Sequence, residues 1–329
     1  MIDLNQESEG NVMSQSQIDA AVSAQAAELT IGSLFSHQAK FNGARIALRE
    51  GAKSLTYAAL DARVNRLVHA LATSGIVRGD RLAILSENRS EYIEAELACA
   101  KLGAILACQN WRLADEELAY CIRLTEPKLL LVSPRFTANL ARIDHGVPKT
   151  LTLGEDYERF LARASDAAPP DIAHPEDGVV ILYTSGTTGL PKGAMISQRA
   201  MLARAIIGQL DRFIDPESTF VAWAPLFHMV STDNVFGVLT RGGTVVVIDG
   251  FNAGALVETI ARERIGWLTL MPGMIDQVIA ELKRTGAKPV GINTLGCMAD
   301  LVPRHQIAEI TALLGAPYVN SFGSTETGS

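Results

Sequence analysis

Residues 183–193, Tyr-Thr-Ser-Gly-Thr-Thr-Gly-Leu-Pro-Lys-Gly, restrict the fold more than any other stretch of this chain. They follow an apolar run, Val179-Val180-Ile181-Leu182, whose length and β-branched content suit a buried strand. From Thr184 to Gly189 there are only hydroxyl residues and glycines. Hydroxyls and unhindered backbone N–H groups can surround anionic oxygens, and glycine lets the backbone approach without a Cβ in the way. Lys192 adds a mobile positive charge, and Pro191 stiffens the approach to it. A strand ending in such a loop belongs to an α/β sheet, where phosphates bind beyond the carboxyl ends of the strands. A flexible surface linker shares the small-residue composition, yet a linker has no need of a Pro-Lys-Gly ending behind a buried strand. Nor is this a Walker loop, which needs Gly-Lys followed by Ser or Thr. Here Leu190 and Pro191 separate Gly189 from Lys192, and Gly193 follows.

The hydrophobic pattern around the loop supports the same fold class. Leu60, Val64, Leu67, Val68 and Leu71 fall on one face of a helix that starts at Thr56 and stops at Gly75. Strands are expected at 81–85, 104–107 and 129–132, with helices over 90–102 and 115–124 between them. Residues 164–175, with Pro169-Pro170, mark a subdomain boundary. The alternation then resumes, with strands at 179–183, 220–223, 244–248, 267–270 and 318–321. Helices are expected over 198–210, 234–239, 255–264, 274–283 and 303–314, the last opened by proline. Strands alternating with helices of this length imply parallel sheets covered on both faces. The expected organisation is a flexible leader over 1–28, a first α/β subdomain over 29–172 and a second over 173–329.

Charge and composition exclude several classes. The 329 residues carry a formal charge of −7 with no basic patch, which argues against a nucleic-acid partner. No apolar run is long enough to span a membrane. Asp3, Glu7, Glu9, Asp19 and Glu28 stand in the first 30 residues with no Lys or Arg, which disfavours secretory and transit signals. Cys99, Cys108, Cys121 and Cys297 form neither a C-x-x-C pair nor a His/Cys cluster. Buried, reduced thiols in a cytoplasmic protein are expected.

Residues 183–193 resemble the signature loop of the adenylate-forming superfamily, which holds acyl-CoA synthetases, peptide-synthetase adenylation domains and firefly-type luciferases. That resemblance implies a fold of two parallel-rich sheets flanked by helices, as in the large N-terminal domain of these enzymes. It also implies that Thr184, Ser185, Gly186, Thr187, Thr188, Gly189 and Lys192 cradle the β- and γ-phosphates of ATP. Pro225-Leu226-Phe227-His228 resembles the Pro-Leu-Phe-His segment of acyl-CoA synthetases, whose histidine borders and gates the acyl pocket. Without the resemblance, a lone histidine at a strand end is more often structural. Peptide-synthetase domains place Asp after the Phe, so His228 speaks against an amino-acid substrate. The same resemblance lines the acyl pocket with Trp223, His228, Val230, Ser231, Asp233 and Phe236, plus Cys297 and Met298 from the 296–299 loop. Ser231 and Asp233 fit a polar end of that pocket or a cap on the following helix, and the cap is the simpler reading.

Two further stretches are similar to family motifs. Residues 295–301 stand where the family carries a small-residue loop against adenine and acyl chain. Gly296 and Ala299 keep that character, whereas Cys297, Met298 and Asp300 depart from it. Adenine contact and plain core packing fit this stretch equally, because Met and Cys are ordinary core fillers. Asn320-Ser321-Phe322-Gly323-Ser324-Thr325-Glu326 resembles the Tyr-Gly-x-Thr-Glu motif with Phe for Tyr. By that resemblance Phe322 flanks adenine, Thr325 bonds a phosphate oxygen, and Glu326, with Thr184, holds Mg²⁺. A hard cation shared with phosphates favours a carboxylate oxygen on chemical grounds alone.

A carboxylic acid is already ionised at neutral pH, with a pKa of about 4, and needs no general base to attack the α-phosphorus of ATP. Positioning and electrostatics therefore carry such a reaction. Lys192, His228, Thr325 and Glu326 are its expected catalytic group. The expected activity is acid–CoA ligation through an acyl-adenylate, with ATP, Mg²⁺ and coenzyme A, and with a homodimer as a compatible assembly. A non-catalytic nucleotide-binding module and an amino-acid adenylation domain are the alternatives. The resemblance covers about residues 29–329. Family members continue into a ribose-binding Thr-Gly-Asp motif and a mobile lid that this sequence lacks, so poor adenylation is expected of the chain alone.

Overall fold

The computed structural model describes residues 27–184, 189–296, 298–321 and 323–328. Ser185, Gly186, Thr187, Thr188, Cys297, Phe322 and most of the expected leader lie outside the described residues. The first eight strands are β1 (Ile46–Glu50), β2 (Lys53–Thr56), β3 (Arg81–Leu85), β4 (Ile105–Cys108), β5 (Leu129–Val132), β6 (Thr150–Thr152), β7 (Gly178–Thr184) and β8 (Lys192–Ser197). Four more follow: β9 (Thr219–Ala222), β10 (Thr244–Val247), β11 (Arg264–Thr269) and β12 (Gly291–Gly296).

They form two sheets of six, ordered β6-β5-β3-β4-β7-β8 and β12-β11-β9-β10-β1-β2. Every pairing is parallel except β7–β8 and β1–β2, the antiparallel hairpin at one edge of each sheet. The expected α/β class with two parallel-rich sheets is thus what forms.

The sheets do not part at residue 172. β1 pairs with β10, Leu48 opposite Val245, so an early hairpin belongs to the later sheet. β7 and β8 complete the earlier one. The Pro169-Pro170 segment is a connection within the interleaved pair of sheets, because parallel pairing joins strands remote in sequence.

Helix Ser90–Leu102 lies at the centre of the molecule and is buried along its whole length. It packs against β4 and β7 of one sheet, β1 of the other, and helices Ile31–Phe41 and Tyr57–Thr73. Gly103 ends it in the left-handed conformation at φ 69°. Buried charges on it need partners. Arg63 grips the Glu94 carboxylate at 2.7 and 3.1 Å, and the Tyr157 hydroxyl donates to it at 2.8 Å. Lys101 donates to Asp61 at 2.5 Å and to Asn65 at 2.7 Å. Cys99 and Cys108 are buried and free, and burial pushes the Cys121 thiol up to about 12, so thiolate chemistry is suppressed. Among the described residues no helix is long and apolar enough to cross a membrane.

Strand β3, helices Ser90–Leu102 and Asp115–Leu124, and β5 occupy the expected residues. The expected helix over 255–264 is Ala253–Ile260, and β11 already starts at Arg264. The strand expected at 318–321 reduces to one bridge between Leu295 and Tyr318.

The two sheets are stitched by one side chain. Asn88, buried between β3 and the central helix, donates its amide hydrogens to the carbonyls of Ala222 (3.0 Å), Ala224 (2.7 Å) and Ile248 (3.2 Å). Its Oδ1 accepts from the Leu226 N–H at 2.9 Å. The turn after β3 therefore holds the segments that follow β9 and β10. Asn88→Ala should cost about 2–3 kcal/mol, because several buried backbone groups lose their partner. A urea-midpoint shift measures this, and an unchanged midpoint would mean that the stitch contributes little.

Candidate functional site

Parallel strands present their carboxyl ends on one edge of a sheet, and ligands collect beyond such edges. Here the edges of both sheets meet. Trp111 follows β4, Phe136 follows β5, and Phe227 lies five residues beyond β9. Trp111 stacks on Phe136 with ring centroids 5.6 Å apart and meets Phe227 edge-on at 5.9 Å. The Arg112 guanidinium lies over Trp111 and Phe227, at 5.0 and 5.8 Å from the ring centroids. Arg135 covers Trp111 at 5.4 Å and pairs with Asp249, just beyond β10, at 3.0 Å. The rim is aromatic and cationic, and residues from both sheets build it.

The described ends of the phosphate-type loop, Thr184 and residues 189–193, lead out of β7 and into β8 of an antiparallel hairpin. Thr184 stands opposite Lys192 in the antiparallel register. Lys192 is exposed, and Gly189 adopts φ 95°, a conformation that favours glycine. Tyr183 anchors the hairpin: its hydroxyl donates to the Cys121 carbonyl at 2.8 Å and accepts from Gln109 at 3.0 Å. Strand β8 is unforeseen by the sequence reading, because its residues Lys-Gly-Ala-Met-Ile-Ser carry a weak apolar pattern. It pairs back along β7 before helix Gln198–Arg212 begins, so the chain does not pass directly from β7 to that helix.

Gly296, Ala299 and Asn320 come together. Gly296 has φ 140°, and a Cβ there would sit 2.2 Å from the Val319 carbonyl oxygen, so the two backbones touch. Asn320 accepts from the Ala299 N–H at 2.9 Å and donates to Asp300 at 3.2 Å. Met298 is exposed in the left-handed region, at φ 49°. Ser321 is half-buried and Gly323 exposed. Residues 324–328 form a tight turn: the Gly328 N–H donates to the Ser324 carbonyl at 2.8 Å, and the Ser324 N–H returns a bond at 3.2 Å. Glu326 is exposed, and its carboxylate has no hydrogen bond or ion pair among the described residues. An uncommitted carboxylate fits a cation ligand. Among the described residues no three His, Cys, Asp or Glu side chains gather as a metal cluster.

The expected pocket residues separate. His228 caps helix Met229–Leu239, its Nδ1 accepting from Val230 at 3.5 Å. Desolvation and nearby Arg112 hold its imidazole below the usual range, which favours the neutral ring. Trp223 is buried, donates to the Thr269 carbonyl at 3.0 Å and meets Phe251 edge-on. Val230 is half-buried. Phe236 and Ser231 have no exposed surface, so neither lines an open pocket in this structure. The helix starts at Met229, five residues before its expected start, and this overturns the cap reading for Ser231 and Asp233. Ser231 donates to the Ala224 carbonyl at 2.7 Å, and Asp233 pairs with Arg204 at 3.5 Å.

The sequence reading missed Arg204. It is buried in helix Gln198–Arg212, and its Nη2 donates to the carbonyls of Thr325 (3.1 Å) and Glu326 (2.8 Å). Nothing in sequence distinguishes it from other helix-surface arginines. Asn88, Trp111 and Arg112 were also missed, although their places just after β3 and β4 are a usable signal.

A family model described as "AMP-binding enzyme" matches residues 35–329. An indoleacetate–CoA ligase of Aromatoleum aromaticum is 33% identical over 293 residues, 86% of this chain and 57% of that protein. A fatty acid–[acyl-carrier-protein] ligase, ScoC, of Streptomyces coeruleorubidus is 30% identical over 284 residues, 84% of this chain and 54% of that protein. The chain thus spans little more than half the length of these relatives. The solved structure of a putative long-chain-fatty-acid CoA ligase from Rhodopseudomonas palustris superposes with TM-score 0.82 at 24% identity. That match covers 92% of this chain and 78% of that one, and it speaks to the fold alone.

Among the described residues, one acid beneath the site has no hydrogen-bond partner. Glu96 is fully buried in the central helix, and neither of its oxygens meets a donor from those residues. The Thr232 hydroxyl beside it is directed to the Leu226 carbonyl at 2.6 Å. Burial first, then the Asp233 charge, pushes its carboxyl well above 4.5. Burial likewise raises Asp233 to about 6, against the pull of Arg204. An acid that binds its proton more tightly folded than unfolded loses stability as pH rises above its unfolded value of 4.5. Glu96→Gln should therefore flatten the stability–pH profile between about pH 5 and 8, with alkaline stability at or above wild type. Denaturant titrations at several pH values read this, and a steeper alkaline decline in the variant would contradict it.

Proposed function

The chain belongs to the AMP-binding enzyme family, and from that membership we propose that it is the nucleotide- and acid-binding part of an AMP-forming acid–thiol ligase. It activates a carboxylic acid with ATP to an acyl-adenylate and passes the acyl group to coenzyme A. The observation that supports the proposal is the β7–β8 hairpin, which sets Thr184, at the carboxyl end of a strand that pairs in parallel with β4, opposite Lys192.

In this reading a carboxylate oxygen attacks the α-phosphorus, the bond to the bridging oxygen breaks, and pyrophosphate leaves. Both reactants are anions, so the task is electrostatic. Thr184, Ser185, Gly186, Thr187, Thr188, Gly189 and Lys192 hold the β- and γ-phosphates, and the lysine offsets charge as pyrophosphate departs. Gly296, Ala299, Asn320, Ser321, Phe322, Gly323, Ser324 and Thr325 frame the adenosine and the α-phosphate. Glu326 and Thr184 would hold Mg²⁺, which supplies charge neutralisation between phosphate oxygens. His228, neutral at working pH, borders the acid without adding a cation beside ATP. Trp223, Val230, Cys297 and Met298 complete the acid pocket, into which Phe236, Ser231 and Asp233 open only if the helix carrying them shifts.

Coenzyme A is the proposed acceptor, and the exposed Arg112 and Arg135 suit a thiol that carries several phosphates rather than the single one of a carrier protein's arm. Relatives named for both acceptors make the choice testable. ATP–pyrophosphate exchange on the complete encoded polypeptide, with a panel of aryl, fatty and amino acids, is the experiment. Exchange should appear with aryl or fatty acids and not with amino acids. Lys192→Ala combined with Thr188→Ala should slow it about a hundredfold. An unchanged rate in that variant would sink the phosphate role. ATP binding without exchange for any acid would favour a non-catalytic nucleotide module.

A further inference from the structure

We infer that Arg204 is a positioning residue for the proposed adenylation: it locks the turn carrying Thr325 and Glu326 to the helix that continues from the phosphate hairpin. The inference rests on the reading above and goes beyond it, because Arg204 belongs to none of the family-like motifs.

The mechanical path is short. β8 ends at Ser197, which caps helix Gln198–Arg212 by accepting from the Ala200 N–H at 3.2 Å. The helix carries Arg204 near its middle. Its guanidinium reaches in two directions, with Nη1 3.5 Å from both Asp233 carboxylate oxygens and Nη2 bonding the consecutive carbonyls of Thr325 and Glu326. A planar fork with several donors can serve four acceptor oxygens in this way. Gly328 closes the turn at φ 84°, and a Cβ there would stand 2.8 Å from the Arg204 Cγ. The turn therefore lies directly on the arginine stem.

The bonds are to backbone oxygens, so the Thr325 hydroxyl and the Glu326 carboxylate stay uncommitted among the described residues. That is what a holder should do: it fixes where two functional side chains start without occupying them. Arg204 is itself buried, and its charge is balanced by Asp233 from helix Met229–Leu239. An arginine so compensated is poorly placed to act as a direct phosphate ligand. The helix capped by His228 thus supplies the counter-ion, and the helix behind Lys192 supplies the clamp.

A loose clamp lets Glu326 wander by about an ångström, which is enough to lower turnover substantially. The test uses Arg204→Gln and Arg204→Lys in the complete polypeptide, with exchange kinetics against Mg²⁺ and acid, and amide hydrogen exchange by mass spectrometry. Arg204→Gln should lower kcat at least tenfold and raise the Mg²⁺ requirement, with the KM for the acid within about twofold of wild type. Amides at 324–328 should exchange faster while β3 and β4 stay protected. Arg204→Lys, which keeps the charge but not the fork, should recover part of kcat. It also carries the same readouts should the glutamine variant not fold. Wild-type Mg²⁺ dependence together with unchanged exchange at 324–328 in either folded variant would overturn the inference. A wild-type protein silent in pyrophosphate exchange would defeat the activity reading instead, and the amide exchange would still judge the clamp.

Discussion

The meeting of two parallel sheets at their carboxyl edges is the constraint on which the other features depend. A parallel sheet buries both faces, so its strands are apolar and only their ends offer chemistry. Two such sheets make a site only if their ends face one another, and Asn88 enforces that arrangement. Of its four backbone partners, Ala222 ends β9 and the other three lie in the segments that follow β9 and β10. The Trp111, Phe136 and Phe227 rings then close the rim that this joint defines.

A central helix buried from end to end is the cost of that architecture, since ten or more residues must lose solvent together. Glu94 and Lys101 are both tied by ion pairs to helix Tyr57–Thr73, through Arg63 and Asp61, so burial also fixes how that helix packs. Glu96 breaks the pattern, and Asp233 and Arg204 follow it toward the surface. The interior beneath the site is therefore polar and strung between elements. The 324–328 turn rests on its outermost member.

Much of the framework is legible in sequence for plain reasons. The strand at 81–85 and the helix at 90–102 agree to the residue because apolar runs of fixed length are bounded by Gly103 and polar turns. Strands β2, β6, β8 and β12, at the sheet edges, and β1 beside β2 escaped because exposed residues such as Lys53, Ser54 and Thr150 lack the apolar run of an inner strand. Helix Met229–Leu239 starts early because His228 is its cap, and a histidine cap leaves a weaker signature than Ser or Asp. Among the proposed site residues, Thr184 and Lys192 were singled out by their types and spacing, and Gly296 and Asn320 by the resemblance of their stretches to family motifs. Arg204 and Asn88 were not, because their meaning lies in which remote carbonyls they face.

The sequence alone therefore determined the chemistry on offer: a small-residue loop closed by lysine, a Thr-Glu turn, and alternating strands and helices that require parallel sheets. Those are local properties, set by neighbours within a few residues. Only the tertiary structure decided that β1 and β2 cross into the later sheet, that Ser231 and Phe236 are sealed in the core, and that Arg204 holds the Thr325–Glu326 backbone. Each of these depends on contacts between residues far apart in the chain, whose geometry is fixed by the joint packing of both sheets and not by any single segment.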